Sequence, residues 1–361
     1  MKDLLDRLRL IRSPSIGPVS YRHLMSRFGS AAAAIHALPD LARRGGGAAP
    51  RVVPAAEAER EIAAIEKMGG HYLLLGQGLY PRLLAELDNA PPILTVKGDR
   101  SLLDREAAAI VGARNASAAA CRFSRGLAYD LGQQDVITVS GLARGIDTAA
   151  HDGSLETGTI AVIAGGLDIA YPPENADRQR AIAERGLLIA EMPPGTEPRA
   201  RHFPYRNRII AGMALGTVVV EAAPKSGSLI TARLATEAGR EVMAVPGSPL
   251  DPRAQGCNGL IRDGATLIQN AADVIEAIRP FAATIARVAA PPQPPFEPAP
   301  LDAGNDERAL IEELLGPSAV PVDEIVRLSG LPSGTVQLVL LEYDLAGRLE
   351  RHAGGKVSLT A

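Results

Sequence analysis

Positively charged and aromatic side chains are concentrated in the segment HFPYRNRIIAGMA, residues 202–214, of a chain that contains no tryptophan. Two aromatics and two arginines fall close together there: Phe203, Tyr205, Arg206 and Arg208. Guanidinium groups bind phosphate oxygens and aromatic rings stack on flat bases, and the two together are typical of sequence-tolerant binding to single-stranded nucleic acid. A second interpretation stays open, in which Phe203 packs in the core and both arginines pair with carboxylates.

Glycine-containing turns follow the apolar segments of the central sequence. They read VGARNAS (111–117), SGLARGID (140–147), AGGLD (164–168), EAAPKSGS (221–228) and VPGS (245–248). Glycine lets the backbone approach a bulky anion, and free N–H groups at the start of the next helix bind it. Arg114, Arg144 and Lys225 add positive charge to the same turns. The pattern predicts a groove that holds several phosphate groups.

The common nucleotide cofactors do not fit these turns. A dinucleotide site needs G-x-G-x-x-G and an acidic residue at the end of the next strand. VGARNAS has only one glycine, and the next strand ends at Ser140-Gly141 with no Asp or Glu. The sequence also lacks the G-x-x-x-x-G-K-[ST] motif of ATPases. We therefore expect no cofactor, and a polymer as the source of the phosphates.

The elements that must position these turns alternate regularly. Strand-like runs are AAAIVG, DVITVSG, TIAVIAGG, GLLIAEM, TVVVEAA, EVMAVPG and ATLIQ, and helical stretches separate them. Apolar runs that alternate with helices predict a parallel sheet buried on both faces. The expected fold class is therefore α/β, with a doubly wound Rossmann-like sheet as its core.

Changes of composition divide the chain into five expected segments. They are a helical domain (1–50), a connecting segment (51–105), the Rossmann-like core (106–279), a proline-rich linker (280–304) and a winged-helix-like domain (305–361). In the first, SIGPVS separates two amphipathic helices as a helix–turn–helix does. In the last, three predicted helices precede a predicted hairpin, GRLERHAGGKVSLT.

Composition narrows the class of protein further. No apolar run reaches the ~18 residues of a membrane span, and MKDLLDRLRL alternates charges with leucines, unlike a signal peptide. Cys121 and Cys257 are too few for a disulfide framework or a zinc site, so we expect two reduced, buried thiols, no metal and a cytoplasmic protein. Residues 1–51 carry nine Lys/Arg against three Asp/Glu, and residues 302–361 carry five against ten. A net charge of −3 therefore does not exclude nucleic-acid binding.

Four segments together resemble the DNA processing protein A family, also called DprA or Smf. They are SGLARGIDTAAH, FPYRNRIIAG, EAAPKSGSLITARLA and REVMAVPG, and YPRLLAELDNAPPILTVKGD upstream is similar to that family as well. The resemblance covers about residues 72–278 and, less distinctively, the flanking segments. It implies a homodimeric single-stranded DNA-binding protein of natural transformation, which protects incoming DNA, hands it to the recombinase RecA and is not an enzyme.

The resemblance also implies a binding site. Its basic pocket would contain Arg114 and Arg206, with Asn207 and Arg208 beside them. Loop contacts would come from seven further residues: Ser140, Gly141, Arg144, Gly145, Ser226, Gly227 and Ser228. Phe203 and Lys225 complete the site expected from the residues themselves. The sequence departs from the family at AGMA (211–214), where members often have serines, and this affects packing detail more than binding.

Two enzymatic interpretations compete with binding. Asp147 and His151 lie four residues apart on one helix and could act as acid and base. The favoured interpretation is a helix-start Asp and a hydrogen-bonded His, because the sequence offers no nucleophile or metal cluster for such a pair to work with. The alternative function is that of a nucleotide-binding hydrolase of the LOG, or lysine-decarboxylase-like, class. That class uses P-G-G-x-G-T-x-x-E, whereas PKSGSLITARLA has Ala232 or Arg233 in place of the glutamate.

The terminal segments carry separate expectations. The last helix of the winged-helix-like segment, SGTVQLVLLEYDLAG, has no Lys or Arg and contains Glu342 and Asp344. Because phosphates repel a negatively charged helix, we expect this domain to contact protein or to modulate the core, and not to bind duplex DNA strongly. The basic N-terminal helices have two open roles, DNA binding and scaffolding.

Overall fold

The structure is a computed structural model that describes residues 2–48, 50–287, 302–352 and 354–360. Most of the predicted linker, 280–304, lies outside these residues. The chain forms two compact units, and each is described by itself: residues 1–62 with 292–361, and residues 63–291. Among the described residues, no helix is both long and apolar enough to span a bilayer.

The N-terminal part of the first unit is helical. Its helices are α1 (Lys2–Arg12), α2 (Pro18–Phe28) and α3 (Ala31–Arg44), and α4 (Ala55–Lys67) follows. Gly17 is the N-cap of α2 and Pro18 its first residue, where proline is favoured because its missing N–H would be unpaired anyway. Ser30 caps α3 by accepting the Ala33 N–H.

The second unit is built on a nine-stranded sheet in the order β1-β2-β6-β5-β4-β3-β7-β8-β9. The strands are β1 (His71–Leu74), β2 (Ile93–Gly98), β3 (Ala107–Gly112), β4 (Ile137–Ser140), β5 (Thr159–Ile163), β6 (Leu187–Ala190), β7 (Gly216–Val220), β8 (Glu241–Ala244) and β9 (Thr266–Leu267). β3 to β9 pair in parallel, and β1 and β2 extend the sheet beside β6 by antiparallel pairing. The predicted fold class, a Rossmann-like α/β core, is confirmed.

The central strands are buried on both faces. In β3, Ala107, Ala109 and Val111 belong to one apolar cluster, whereas Ala108 and Ile110 belong to another. Successive side chains of a strand point to opposite faces, so an uninterrupted apolar run supplies both layers. The helices are α5 (Arg82–Ala85), α6 (Ala118–Gln133), α7 (Ile146–Ser154), α8 (Ala176–Arg185), α9 (His202–Met213), α10 (Gly227–Glu237), α11 (Gln255–Arg262) and α12 (Ala271–Arg287).

The topology brings the predicted turns together. β3 pairs with β4 on one side and with β7 on the other. From β3 the chain adds β4 to β6 on one side of the sheet and then β7 to β9 on the other. Such a reversal of strand order opens a crevice at the carboxyl ends of the strands. The turns after β3, β4 and β7 meet in that crevice.

The C-terminal part of the first unit is a winged helix, as predicted. It contains α13 (Asn305–Leu314), β10 (Val320–Pro321), α14 (Val322–Ser329), α15 (Ser333–Leu345), β11 (Leu349–His352) and β12 (Lys356–Leu359). β11 and β12 form the predicted hairpin, and β10 joins its edge. One apolar cluster contains residues of both this part and the N-terminal helices, among them Leu24, Leu38, Val336 and Val339.

Candidate functional site

Two cavities adjoin at the carboxyl ends of the strands. The smaller, of about 270 Å³, is lined largely by apolar groups, including Ile163, Ile169 and Tyr171. The larger, of about 700 Å³, is lined by the turn before α10 and by the start of α9. Five residues line both and form a shared wall between them: Arg114, Asn115, Ala143, Phe203 and Arg206.

The shared wall combines an aromatic ring with two guanidinium groups. The guanidinium carbon of Arg114 lies 5.2 Å from the centroid of the Phe203 ring, and that of Arg206 lies 5.9 Å from it. Tyr171 packs against the same ring with centroids 5.8 Å apart. Cations within ~6 Å of a ring face are attracted by its quadrupole, so the ring orients both arginines. Phe203, half-buried, thus supports the wall while facing both cavities.

Arg206 is held in place by a glycine and a carboxylate. Its side chain is buried, with Nη1 3.8 Å from Asp147 Oδ2. A Cβ atom at Gly141 would lie 1.1 Å from Arg206 Nη1, so only glycine lets the guanidinium lie this close to the backbone. Burial lowers the pKa of Arg206 from its ordinary value, and Asp147 opposes that shift.

Asp147 also shapes the turn after β4. Its Oδ2 accepts the backbone N–H groups of Gly141 (3.2 Å) and Ala143 (3.3 Å). Burial raises the pKa of Asp147, and Arg206 is the largest opposing influence. The single carboxylate therefore fixes both the loop and the cation of the shared wall.

Arg208 is directed elsewhere. It lines neither cavity, is buried, and donates from Nη2 to Glu191 Oε1 at 2.6 Å. Its guanidinium carbon lies 6.0 Å from the centroid of the Tyr205 ring. For Arg208, the structure thus matches the interpretation in which the arginine pairs with a carboxylate.

Ser140 and Gly145 are also outside the cavity linings. The Ser140 hydroxyl is buried and donates to the Ile110 carbonyl at 2.6 Å. Gly145 has φ +74°, and a Cβ there would lie 2.3 Å from the Ala113 carbonyl oxygen. Both residues hold neighbouring strand ends together and act on the cavities only through the backbone.

The start of α10 supplies the polar side of the larger cavity. Ser226 caps the helix, and its Oγ accepts the Ser228 N–H at 3.4 Å. Lys225 is exposed beside it with φ +68°, and Gly227 and Asn207 line the same cavity. A helix N-terminus with an adjacent lysine favours a bound anion.

The start of α6 does not offer the same feature. Glu221 accepts the Ser117 N–H at 2.8 Å and the Ser117 hydroxyl at 2.6 Å. The carboxylate thus occupies the anion-favouring end of α6. Of these two helix starts, that of α10 is the one left open to a phosphate.

Residues missed by the sequence analysis complete the smaller cavity and its rim. They include Tyr171, Pro172 and Pro198 beside the apolar wall, and Arg253 at the edge of the larger cavity. Tyr171 follows the turn AGGLD and precedes two prolines, a signal for an aromatic at the edge of the groove. Arg144, which was predicted, lines the smaller cavity and pairs with Glu174.

The polar groups do not form an acid/base pair. Among the described residues that line the cavities, Asp147 is the only carboxylate, and Arg206 and two N–H groups face it. His151 Nδ1 is hydrogen-bonded to Thr159 Oγ1 at 2.7 Å, and burial lowers its pKa to about 3. The interpretation of these two residues as a helix-start Asp and a hydrogen-bonded His is confirmed.

Neither cysteine lines the cavities. Cys257 is buried, and burial raises its pKa to about 11, whereas Cys121 is half-buried. The prediction of buried thiols is therefore correct for Cys257 and wrong for Cys121. The described residues contain no cluster of three metal-ligating side chains.

Comparison with family models assigns three regions of the chain. Residues 71–279 match the model "DNA recombination-mediator protein A". Residues 1–64 match a DprA-like N-terminal HHH domain, and residues 291–355 match a DprA winged helix domain.

Individual proteins show the same similarity. The chain is 34% identical to protein Smf of Escherichia coli over 309 aligned residues. The alignment covers 85% of this chain and 82% of that protein. The chain is 45% identical over 198 residues to DNA processing protein DprA of Streptococcus pneumoniae, or 54% of this chain and 70% of that protein.

Two solved structures are similar to the chain. The crystal structure of S. pneumoniae DprA superposes with a TM-score of 0.58 at 40% identity, covering 62% of this chain and 78% of that one. A Helicobacter pylori DprA structure superposes with a TM-score of 0.51 at 29% identity. The superposition covers 60% of this chain and 96% of that one. The latter structure describes a single-stranded DNA binding mode of the H. pylori protein.

Proposed function

Since the chain belongs to the DNA recombination-mediator protein A family, we propose that it binds single-stranded DNA across the two adjoining cavities and delivers it to the recombinase RecA. The observation that carries the proposal is the shared wall of Arg114, Phe203 and Arg206. It sets two cations and one aromatic ring between an apolar cavity and a polar one.

The smaller cavity suits one base. Its volume of about 270 Å³ lies just below the ~300–1,000 Å³ range of small-ligand pockets, as a single base requires. Ile163, Tyr171 and Phe203 give it flat and apolar walls. A base that is stacked in a duplex cannot enter such a cavity, so the proposal requires unpaired DNA.

The larger cavity suits the sugar–phosphate backbone. Lys225 and the N-terminus of α10 lie there, and Arg114 and Arg206 stand between it and the smaller cavity. A strand with one base inserted would place its adjacent phosphates along this path. These contacts carry no base-specific information, so binding should be tolerant of sequence.

Each predicted residue takes one of two proposed roles. Those that line a cavity would contact DNA: Arg114, Gly141, Arg144, Phe203, Arg206, Asn207, Lys225, Ser226, Gly227 and Ser228. Ser140, Gly145 and Arg208 would support the site from behind. We propose further that the protein is a cytoplasmic homodimer, because two linked sites on one strand raise avidity without new contacts. It would act by binding and not as an enzyme.

A competition experiment tests the proposal. A fluorescently labelled oligo-dT is bound to the full chain, and unlabelled oligo-dT, duplex DNA and AMP are added at equal nucleotide concentration. We expect oligo-dT alone to displace the label efficiently. Equal displacement by AMP, with release of adenine, would instead support the nucleotide-hydrolase alternative, and equal displacement by duplex would contradict base insertion.

A further inference from the structure

The helix α15 occupies the position that winged helices use to read DNA. In DNA-reading members, the corresponding helix is exposed and enters the major groove. Here nine of its side chains are buried: Thr335, Val336, Leu338, Val339, Leu340, Leu341, Glu342, Tyr343 and Leu345. Since these residues lie on all sides of the helix, α15 must pack against more than its own small domain.

The second packing partner is the N-terminal helical part of the same unit. α15 packs against α3 and α2. Tyr21 and Leu41 of these helices belong to the same apolar cluster as Leu338 and Leu341. The two ends of the chain therefore share one core.

The approach is close enough to require glycine. A Cβ at Gly45 would lie 2.1 Å from the Glu342 carbonyl oxygen, and one at Gly47 would lie 2.6 Å from the Ala346 carbonyl oxygen. Gly45 has φ −71° and ψ 0°, which any residue adopts. Its lack of a side chain therefore serves the contact with α15 and not the local turn.

Charged groups of opposite sign meet across the same contact. Arg44 Nη1 lies 2.9 Å from Asp302 and 4.0 Å from the fully buried Glu342. The Ser20 hydroxyl donates to Asp344. Arg348 Nη1 in turn donates to the Gly45 carbonyl at 3.1 Å. The basic start and acidic end of the sequence are thereby matched in space.

A buried ion pair also fixes Glu342 from within the winged helix. Arg308 donates to both of its carboxylate oxygens, from Nε at 2.8 Å and from Nη2 at 3.0 Å. A buried carboxylate whose two oxygens both accept from an arginine has no hydrogen-bond donor to offer a DNA phosphate. The chemistry of α15 thus suits a protein surface.

We propose that this winged helix is a docking module for the chain's own N-terminal helices, and that the face on which other winged helices read DNA is given over to that contact. The proposal does not depend on the DNA path through the central cavities. In this proposal the C-terminal domain binds the N-terminal helices and holds the two ends of the chain together; we call this contact the clasp.

Hydrogen exchange of the full chain tests the clasp. In Gly45→Ala, the new methyl group collides with α15, so amides of α15 and of the end of α3 should exchange about tenfold faster or more, while those of β3 keep their wild-type rates. Gly17→Ala is the matched control, because Gly17 has φ −88° and no atom within 4 Å of its would-be Cβ. Wild-type protection of α15 in Gly45→Ala would overturn the proposal.

Cross-linking and duplex binding provide independent tests. With Ser20→Cys and Asp344→Cys together, mild oxidation should yield a disulfide within one chain. A disulfide between two chains would overturn the assignment of the partner. Labelled duplex should bind Gly45→Ala no more tightly than wild type, and a gain of about tenfold would instead identify α15 as a DNA-reading helix held shut.

Discussion

Nη1 of Arg206 lies 3.8 Å from Oδ2 of Asp147, and both side chains are buried at the wall shared by the two cavities. Breaking a buried pair by removing one partner leaves an uncompensated charge, which is strongly destabilising. The cation proposed to meet DNA is therefore positioned by a carboxylate, a group that would repel a phosphate and not bind it. This relationship separates residues whose loss should affect binding from those whose loss should affect folding.

Replacing Arg114 with alanine should weaken binding without unfolding the core. Arg114 lines both cavities, and within the described part of the chain no carboxylate oxygen lies within 4.0 Å of its guanidinium nitrogens. Loss of one phosphate contact should reduce oligo-dT affinity about tenfold and lower the steepness of its logarithmic salt dependence by about 0.7. Fluorescence anisotropy at several salt concentrations measures both. The exposed Arg122→Ala, on α6 outside the cavities, is the control, and an unchanged salt slope in Arg114→Ala would exclude the contact.

Replacing Gly141 with alanine should displace Arg206. The new Cβ would lie 1.1 Å from Arg206 Nη1, so the guanidinium must leave its place beside Asp147. We expect a loss of oligo-dT affinity of about tenfold or more, together with a lower melting temperature. Gly126→Ala, which meets no atom within 4 Å on α6, should leave affinity unchanged. Wild-type affinity in Gly141→Ala would mean that Arg206 is not needed where the structure has it.

Replacing Arg208 with alanine should affect stability more than binding. The change removes the 2.6 Å ion pair between Arg208 and Glu191, at a cost of about 3–5 kcal/mol. Urea unfolding measures this loss, and the remaining folded protein should bind oligo-dT nearly as wild type does. The pair Arg208→Met with Glu191→Leu should recover much of the stability. A selective loss of affinity with unchanged unfolding would return Arg208 to the DNA-contacting residues.

Acid should destabilise the protein through His151. Burial lowers the pKa of His151 to about 3, so the unfolded state binds a proton more tightly than the folded state. The stability that neutral His151 contributes is complete above the ordinary pKa of about 6.5 and is lost as the pH falls toward 3. By pH 5 this loss amounts to about 2 kcal/mol. Urea unfolding at pH 7 and pH 5 should show a smaller difference in His151→Asn than in wild type. The exposed His36→Asn should behave as wild type does, and equal pH dependence in all three proteins would contradict the assignment.

Much of the fold follows from local pattern. The apolar runs of the core became strands because only a sheet buried on both faces accommodates uninterrupted apolar residues such as those of β3. Parallel pairing then placed the glycine turns at one edge of the sheet. The ten predicted residues that line the cavities came from these turns, from the segment 202–214 and from the family resemblance. For α15, the sequence indicated only an acidic helix without Lys or Arg, and the burial of nine of its side chains came from the structure.

The sequence by itself determined the α/β class, the site edge and the family, because strand periodicity, glycine turns and long motifs are properties of neighbouring residues. Only the tertiary structure decided which arginine faces a cavity. Arg206 and Arg208 are two residues apart on one helix, and that spacing turns their side chains about 200° apart around its axis. One therefore lies by Asp147 at the cavities and the other by Glu191 behind them. The pairing of the two chain ends was likewise hidden, because contacts between residues such as Ser20 and Asp344 depend on packing and not on sequence proximity.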